Sequence, residues 1–394
     1  MDTTADGSDD IEGAAGGLDR SGAPPDAAGE VGASRESDEA PGSRPDGARW
    51  AEPAATVVPR AHAGAVDAAG MVVLACWGVW VLVCAAGREA RPEGTLLALL
   101  AVTAGYAAGR VLGAMVATLT LAAGSVVVVL LVLVPGDRLA AGSAPPLGYH
   151  NADAALLVLA TGAACCAAWG PGCATALRAA LWLVAAAAAV TTLLLGSAAA
   201  FAAGTAVLLC SAAAARMRHR LLGLAGLAAA ALIAVSANYA VAVDALPAGL
   251  SQSLAGQLTA PRVALWHEAV HLAGQHPLRG VGPERFAEES TPLPTDTPTA
   301  ETPQSAPLQL AAEQGVPGAA LLGAAYLWTL CALWRSPQPT PVVLTAGAAL
   351  TGLGMLATVD HVLSCTAVTA AAGLLAGLAT SCPLTPPARA GERP

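Results

Sequence analysis

Two stretches of the chain decide its fold: AMVATLTLAAGSVVVVLLVLV at 114–134 and LLGLAGLAAAALIAVSANYAVAV at 221–243. Neither contains a charged residue. At a rise of about 1.5 Å per residue, a helix over either one is long enough to cross a hydrocarbon layer of about 30 Å. A helix on a soluble core keeps one polar face, whereas these two stretches are apolar all round. The sequence therefore predicts membrane-spanning helices.

The composition extends this prediction to most of the chain. Of 394 residues, 55% are hydrophobic and 12% are charged, and that charged share is about half of what a soluble domain carries. We expect an all-α integral membrane protein, a polytopic bundle of about ten transmembrane helices with one large extracytoplasmic loop. The predicted spans are roughly 67–87, 94–112, 114–134, 153–170, 177–195, 198–215, 221–243, 316–334, 341–359 and 362–381.

The first 66 residues differ from the rest in composition. They contain thirteen acidic residues and five arginines, a balance of −8 within the whole chain's net charge of −9. They are also rich in Gly, Ala, Pro, Ser and Asp and almost free of large apolar residues. Such a composition predicts a disordered acidic tail. No basic footprint appears elsewhere, so we expect no nucleic-acid partner.

Short basic loops set the predicted orientation. The densest cationic connector is RMRHR at 216–220, and positive charge of this kind favours the cytoplasmic side. Six predicted spans precede it, so we expect a cytoplasmic N-terminus in a bacterial cytoplasmic membrane. The predicted parts are a tail (1–66), a first membrane bundle of about seven helices (67–243), an extracytoplasmic loop with the active site (244–306), a re-entry helix with three last spans (307–381) and a short C-terminal tail (382–394).

One string in the large loop suggests metal chemistry. In HEAVH at 267–271, two histidines four residues apart share one face of a helix and could hold zinc, while Glu268 activates a bound water. Three glutamates could supply the missing ligand: Glu284, Glu288 and Glu289. The alternative to a zinc site is that these residues form the polar face of a surface helix. A zinc membrane protease is therefore one hypothesis.

A wider set of motifs points elsewhere. In order, they are LGYHNA (147–152), RVALW (262–266), HPLRGVGPERF (276–286), APLQLAAEQGVPG (306–318) and the pair Asp360-His361. Their sequence and order resemble those of the O-antigen ligase/polymerase family, in which an Arg before a Trp precedes Pro-Leu-x-Gly-Val-Gly and a re-entry helix ends in Glu-x-Gly-x-x-Gly. The resemblance covers residues 145–380.

The resemblance implies a metal-independent glycosyltransferase without a cofactor. Its donor would be a polyprenyl-pyrophosphate-linked glycan at the outer leaflet, its acceptor a glycan or lipid-glycan hydroxyl, and membrane lipid would surround it. A departing pyrophosphate gains negative charge, which bidentate arginine donors stabilise. Arg262 matches the family's arginine and is the first candidate. Arg285 and Arg279 are second, with pairing to nearby glutamates as their structural alternative.

Two positions depart from the family pattern. Gln304 stands where a histidine, the family's candidate base, would fall, and Ala198 stands where an arginine is common. Because a glutamine amide cannot accept a proton usefully, another residue must act as the base if the reaction is retained. His361 is the substitute candidate, oriented by Asp360, although a span-end histidine in water is the plain alternative. A further alternative is a non-catalytic relative that binds lipid-linked glycan or scaffolds polysaccharide assembly.

Overall fold

The computed structural model describes residues 60–133, 150–245, 260–290 and 302–382, and all regular secondary structure within them is helical. Residues 1–59 of the predicted tail and the Pro/Thr-rich stretch 291–301 lie outside these ranges. The helices are α1 (Arg60–Ala85), α2 (Glu93–Leu133), α3 (His150–Ala168), α4 (Thr175–Leu194), α5 (Ala198–Ala214), α6 (Arg220–Ala242), α7 (Ala260–Gln275), α8 (Phe286–Glu289), α9 (Ala306–Trp334), α10 (Thr340–Val359) and α11 (Thr366–Thr380).

The helices confirm a multi-pass α-helical membrane protein. Seven segments within the described residues are long and apolar enough to cross a membrane, and three apolar segments are shorter: Thr118–Leu130, Ala198–Ala214 and Thr366–Thr380. Every predicted span falls on one of these ten segments, while a count of ten crossings stays a prediction. Two spans predicted as separate lie on α2, where the non-helical residue Val116 (φ −147°, ψ 44°) divides them.

Helices α3 and α10 form the centre of the bundle. They are buried along almost their whole length, and their core is built largely from alanine, including Ala155 and Ala349. Small side chains let helix backbones approach closely, which is the main way in which helices pack inside a bilayer. By contrast, α6 exposes large apolar side chains such as Leu232 and Ile233, as expected of a helix that faces lipid.

Glycines bring α2 and α11 into backbone contact. A Cβ atom placed on Gly109 would lie 2.3 Å from the carbonyl oxygen of Leu374, and one on Gly377 would lie 2.3 Å from that of Tyr106. Gly105 and Gly373 make equally close approaches one turn away on each helix. The spacing of four residues places the glycines on one face of each helix. Only a hydrogen atom fits at these positions.

Contacts between the helices show which connectors lie at each end of the bundle. At one end, Arg220 donates from Nη1 to the carbonyl of Ser336 at 2.9 Å, and Arg110 forms a 2.8 Å ion pair with Asp67. Residues 260–290 of the loop lie at the other end, where the last turn of α6 packs in one cluster with α7 through Ala242. The basic connector and the described part of the loop, residues 260–290, therefore lie at opposite ends of α6.

Candidate functional site

Helix α7 is held in the loop by one buried tryptophan. The Trp266 side chain is fully buried, and its Nε1 donates to the carbonyl of Pro303 at 2.7 Å. Around it pack Leu265, Phe286 and Leu308, which come from α7, α8 and the start of α9. Burial of such a side chain contributes about 2–3 kcal/mol. These contacts fix α7 against the N-terminal end of α9.

This packing brings Arg262 to Gln304. The guanidinium donates from Nε and Nη2 to Gln304 Oε1, at 3.1 Å and 2.7 Å. Gln304 has a φ of 49°, a left-handed conformation that a non-glycine residue rarely adopts. The position at which the family resemblance leads us to expect a histidine therefore lies in direct contact with the first candidate arginine. An arginine of the RVALW motif therefore contacts a residue that lies just before the APLQLAAEQGVPG motif.

A break in α9 receives the Pro-Leu-Arg-Gly-Val-Gly segment of the loop. At Gly315 the backbone leaves the helix, with φ 73° and ψ −173°, and Pro317 lies in the first turn of the restarted helix. Free carbonyl and amide groups at this break need partners. The loop supplies them through three backbone hydrogen bonds of 2.9 Å: Val281 N to Ala312 O, Gly282 N to Glu313 O, and Val316 N to Pro277 O.

Helix α1 supports the same break from the other side. Gln314 accepts at Oε1 from Trp77 Nε1 and at its backbone oxygen from Trp80 Nε1, both at 3.0 Å. Arg88, just beyond α1, donates to the carbonyl of Gly280 at 2.7 Å. Sequence reasoning missed this role of α1. The spacing of Trp77 and Trp80, three residues apart on one helix face, was the available signal.

We expect Gly315→Ala to destabilise the site. The backbone angles at Gly315 are accessible almost only to glycine, and a Cβ there would lie 2.4 Å from the carbonyl oxygen of Leu278. Strain of this kind costs about 1–3 kcal/mol. The thermal unfolding midpoint of the detergent-purified protein should fall. Gly323→Ala on the same helix is the control, since a Cβ there meets nothing within 4 Å. Equal midpoints for the two variants would contradict the expectation.

The two second-choice arginines have structural partners. Arg279 donates from Nη2 to the carbonyls of Val83 and Ala86, the second at 3.0 Å, and so ties the loop to the end of α1. Arg285 forms ion pairs with Glu288 at 3.3 Å and Glu289 at 2.6 Å. The structural alternative considered for these arginines is thus seen for Arg285, and Arg262 keeps first place among the candidates.

The second candidate group lies at the end of α10. The Asp360 side chain is largely buried and accepts at Oδ1 from the backbone N–H of His361 at 2.7 Å. His361 Nδ1 lies 3.3 Å from the same oxygen. Asn151, in the first turn of α3, donates from Nδ2 to Asp360 Oδ2. Two more sequence motifs, 209 residues apart, therefore meet here.

The two candidate groups flank one apolar cluster. Val359, which directly precedes Asp360, packs against the cluster that contains Trp266 and Leu308. Arg262 lies one helical turn before Trp266 on α7. A cation and a histidine with its carboxylate thus sit around the same small core, at the end of the bundle where the large loop lies.

The HEAVH string gains no support as a zinc site. His267 lies 3.5 Å from Asp244 Oδ1, and His271 lies 3.3 Å from the amide nitrogen of Gln275. In the ranges that the structure describes, no three His, Cys, Asp or Glu side chains come together in a group that could hold a metal ion. His271 is exposed and His267 is half-buried, as the alternative of a surface helix predicts.

Comparison with known proteins adds one positive finding. The O-antigen ligase family model matches residues 180–323, which run from α4 through the large loop and past the break in α9. This confirms the family resemblance seen in the sequence. The match includes Arg262 and Gln304, whereas Asn151, Asp360 and His361 lie outside it. No curated protein matches the chain significantly.

Proposed function

We propose that this protein is a membrane glycosyltransferase of the O-antigen ligase type. It transfers a glycan from a polyprenyl pyrophosphate to an acceptor hydroxyl at the outer face of the bacterial cytoplasmic membrane. The observation that carries the proposal is the contact between Arg262 and Gln304, inside the matched region, at the entry of α9. The proposal also keeps the cytoplasmic N-terminus and the five-part organisation expected from the sequence.

The reaction exchanges one bond at the anomeric carbon of the donor sugar. The bond from this carbon to the pyrophosphate oxygen breaks, and a bond to the acceptor oxygen forms. The pyrophosphate leaves with the electron pair of the broken bond and therefore gains negative charge. Arg262, with donors in a planar fork, stabilises that charge. Its contact with a neutral amide leaves the guanidinium charge uncompensated by that partner.

The acceptor hydroxyl must lose its proton as its oxygen attacks. We assign this proton to His361 Nε2, because Asp360 faces Nδ1 of the same ring at 3.3 Å. A carboxylate beside the ring stabilises the imidazolium that forms. With Asn151 bound to its other oxygen, Asp360 is held in place. Gln304 cannot take this part, since an amide has no useful basicity.

A second candidate function follows from the presence of Gln304. A relative that has lost the family's histidine could bind the lipid-linked glycan without transferring it, or scaffold assembly of the polysaccharide. In that case the contact between Arg262 and Gln304 would only shape the binding surface. The two functions differ in their dependence on His361.

The test uses a deletion strain that carries the wild-type protein, His361→Gln or His219→Gln. We expect the deletion to accumulate carrier-linked glycan and His361→Gln to slow its consumption by about a hundredfold or more, the usual contribution of a general base. His219, exposed in the connector before α6, is the matched control and should behave like wild type. Wild-type turnover in His361→Gln would remove the base assignment. Unchanged precursors in the deletion strain would refute transfer in that pathway.

A further inference from the structure

A group of arginines surrounds the end of the bundle opposite the large loop. Arg216, Arg218 and Arg220 come from the connector between α5 and α6, and Arg335 directly follows α9. We call these four residues the basic rim. The bond from Arg220 to the carbonyl of Ser336 joins the two connectors at 2.9 Å. Charges that are far apart in sequence thus form one surface.

The connector that carries Arg335 is rigidly attached to the bundle. Ser336 is buried and donates from Oγ to the carbonyl of Ala379 at 2.6 Å. Gln338 donates from Nε2 to the carbonyl of Ser381 at 2.9 Å. Both contacts reach the end of α11. The backbone that carries Arg335 is therefore held against the end of α11.

The positive charge of the rim is not paired with a carboxylate in the part of the chain that the structure describes. Arg216, Arg218 and Arg335 are also exposed. Four cations close together at a helix end create a local positive potential. That potential favours an anion from the surroundings.

Apolar side chains lie beside the charges. Leu221 and Leu222 follow Arg220 on α6 and are 53% and 70% exposed. Trp334 is also exposed, and its ring lies 5.7 Å from the guanidinium carbon of Arg335. Tryptophan and arginine at a helix end are typical of the interface between headgroups and acyl chains. A soluble anion would use the charges alone, whereas this surface also offers contacts for hydrocarbon.

We propose that the basic rim binds the phosphate headgroup of an anionic phospholipid, with the acyl chains lying along the exposed leucines of α6. The headgroup phosphate accepts hydrogen bonds from Arg218 and Arg335, and Trp334 marks the depth of the glycerol region. This site is separate from the proposed transferase site and does not depend on it. One anionic phospholipid would thus contact the ends of α5, α6 and α9.

The test is native mass spectrometry of the full-length protein in detergent, titrated with dioleoyl-phosphatidylglycerol or dioleoyl-phosphatidylcholine. We expect tighter binding of the anionic lipid. Arg335→Gln should weaken it by about fivefold, and Arg218→Gln with Arg335→Gln by roughly twentyfold, from the usual contribution of one arginine near an anionic surface. Arg91→Gln removes the same charge at the opposite end of the bundle and should leave the affinity unchanged.

Three outcomes would overturn the proposal. Equal binding of the two lipids would show that charge plays no part, and equal losses in Arg335→Gln and Arg91→Gln would indicate a net-charge effect. Displacement of the lipid by millimolar inorganic phosphate would identify a free-anion site. If Arg335→Gln does not fold, Arg218→Gln and Arg216→Gln give the same reading from the other connector.

Discussion

Arg262→Ala is expected to lower glycan transfer by about a hundredfold or more, the effect of removing one preorganised donor from a developing negative charge. The departing pyrophosphate would lose its bidentate partner while the rest of the fold stays in place. Trp266, one turn further along α7, still anchors the helix through Pro303. Arg262→Lys should recover only part of the activity, because an ammonium group keeps the charge but lacks the planar fork.

The measurement is the rate at which carrier-linked glycan is consumed in membranes that contain equal amounts of each variant. Gln304→Ala separates the two roles open to Arg262. If the arginine serves only to hold Gln304, removal of either partner should have the same effect. If the arginine binds pyrophosphate, Gln304→Ala should retain most of the activity while Arg262→Ala loses it. Arg91→Ala, exposed at the same end of the bundle, controls for the loss of one positive charge.

Gly109→Leu is expected to prevent α2 and α11 from packing. A Cβ at this position would already lie 2.3 Å from the carbonyl oxygen of Leu374 and 3.0 Å from the Cα of Gly377. Backbone atoms cannot move aside as a flexible side chain can. Overpacking by a few methylene groups costs about 1–3 kcal/mol in ordinary cores, and here the helices themselves must separate. Most of the protein should therefore fail to reach the folded state.

Size-exclusion chromatography of the detergent-solubilised variants, with thermal unfolding of the monodisperse fraction, measures this effect. Gly226→Leu is the matched control, since α6 carries Gly226 at a position where a Cβ meets nothing within 4 Å. The same substitution there should leave both the yield and the midpoint close to wild type. A Gly109→Leu protein as stable as Gly226→Leu would show that close contact between α2 and α11 is not needed.

The membrane fold was accessible from sequence because it follows from properties of single segments. The segment 221–243 is long, apolar all round and without a charged residue, and these features can be recognised without knowing its neighbours. The division of α2 into two segments was also predicted closely. The predicted spans meet at residue 113, and the non-helical residue is Val116. Which helices pack together could not be obtained in this way, because every span shows a similar apolar surface.

For the candidate site, too, single residues could be predicted from the sequence but their contacts could not. The family motifs pointed to Arg262, Gln304 and the pair Asp360-His361 one at a time. Their contacts arise only after folding: Asn151 reaches Asp360 across 209 residues, and Trp77 reaches Gln314 across 237. Nothing local to either partner encodes such a distance. The glycines of α2, spaced four apart, are typical of a close helix contact, but no prediction was made from them, and their partners on α11 could not be identified from the sequence.

The contact between α1 and the break in α9 also has a consequence for synthesis. The ribosome delivers Trp77 to the membrane 237 residues before Gln314, its hydrogen-bond partner, exists. The separation is larger for α2. Arg110 donates to the carbonyl of Thr380, which is synthesised 270 residues later. The first two spans are thus inserted long before their main partners, and lipid must cover their glycine and tryptophan faces in the interval. Contacts between residues so far apart in sequence form late, because the chain between them must be inserted first.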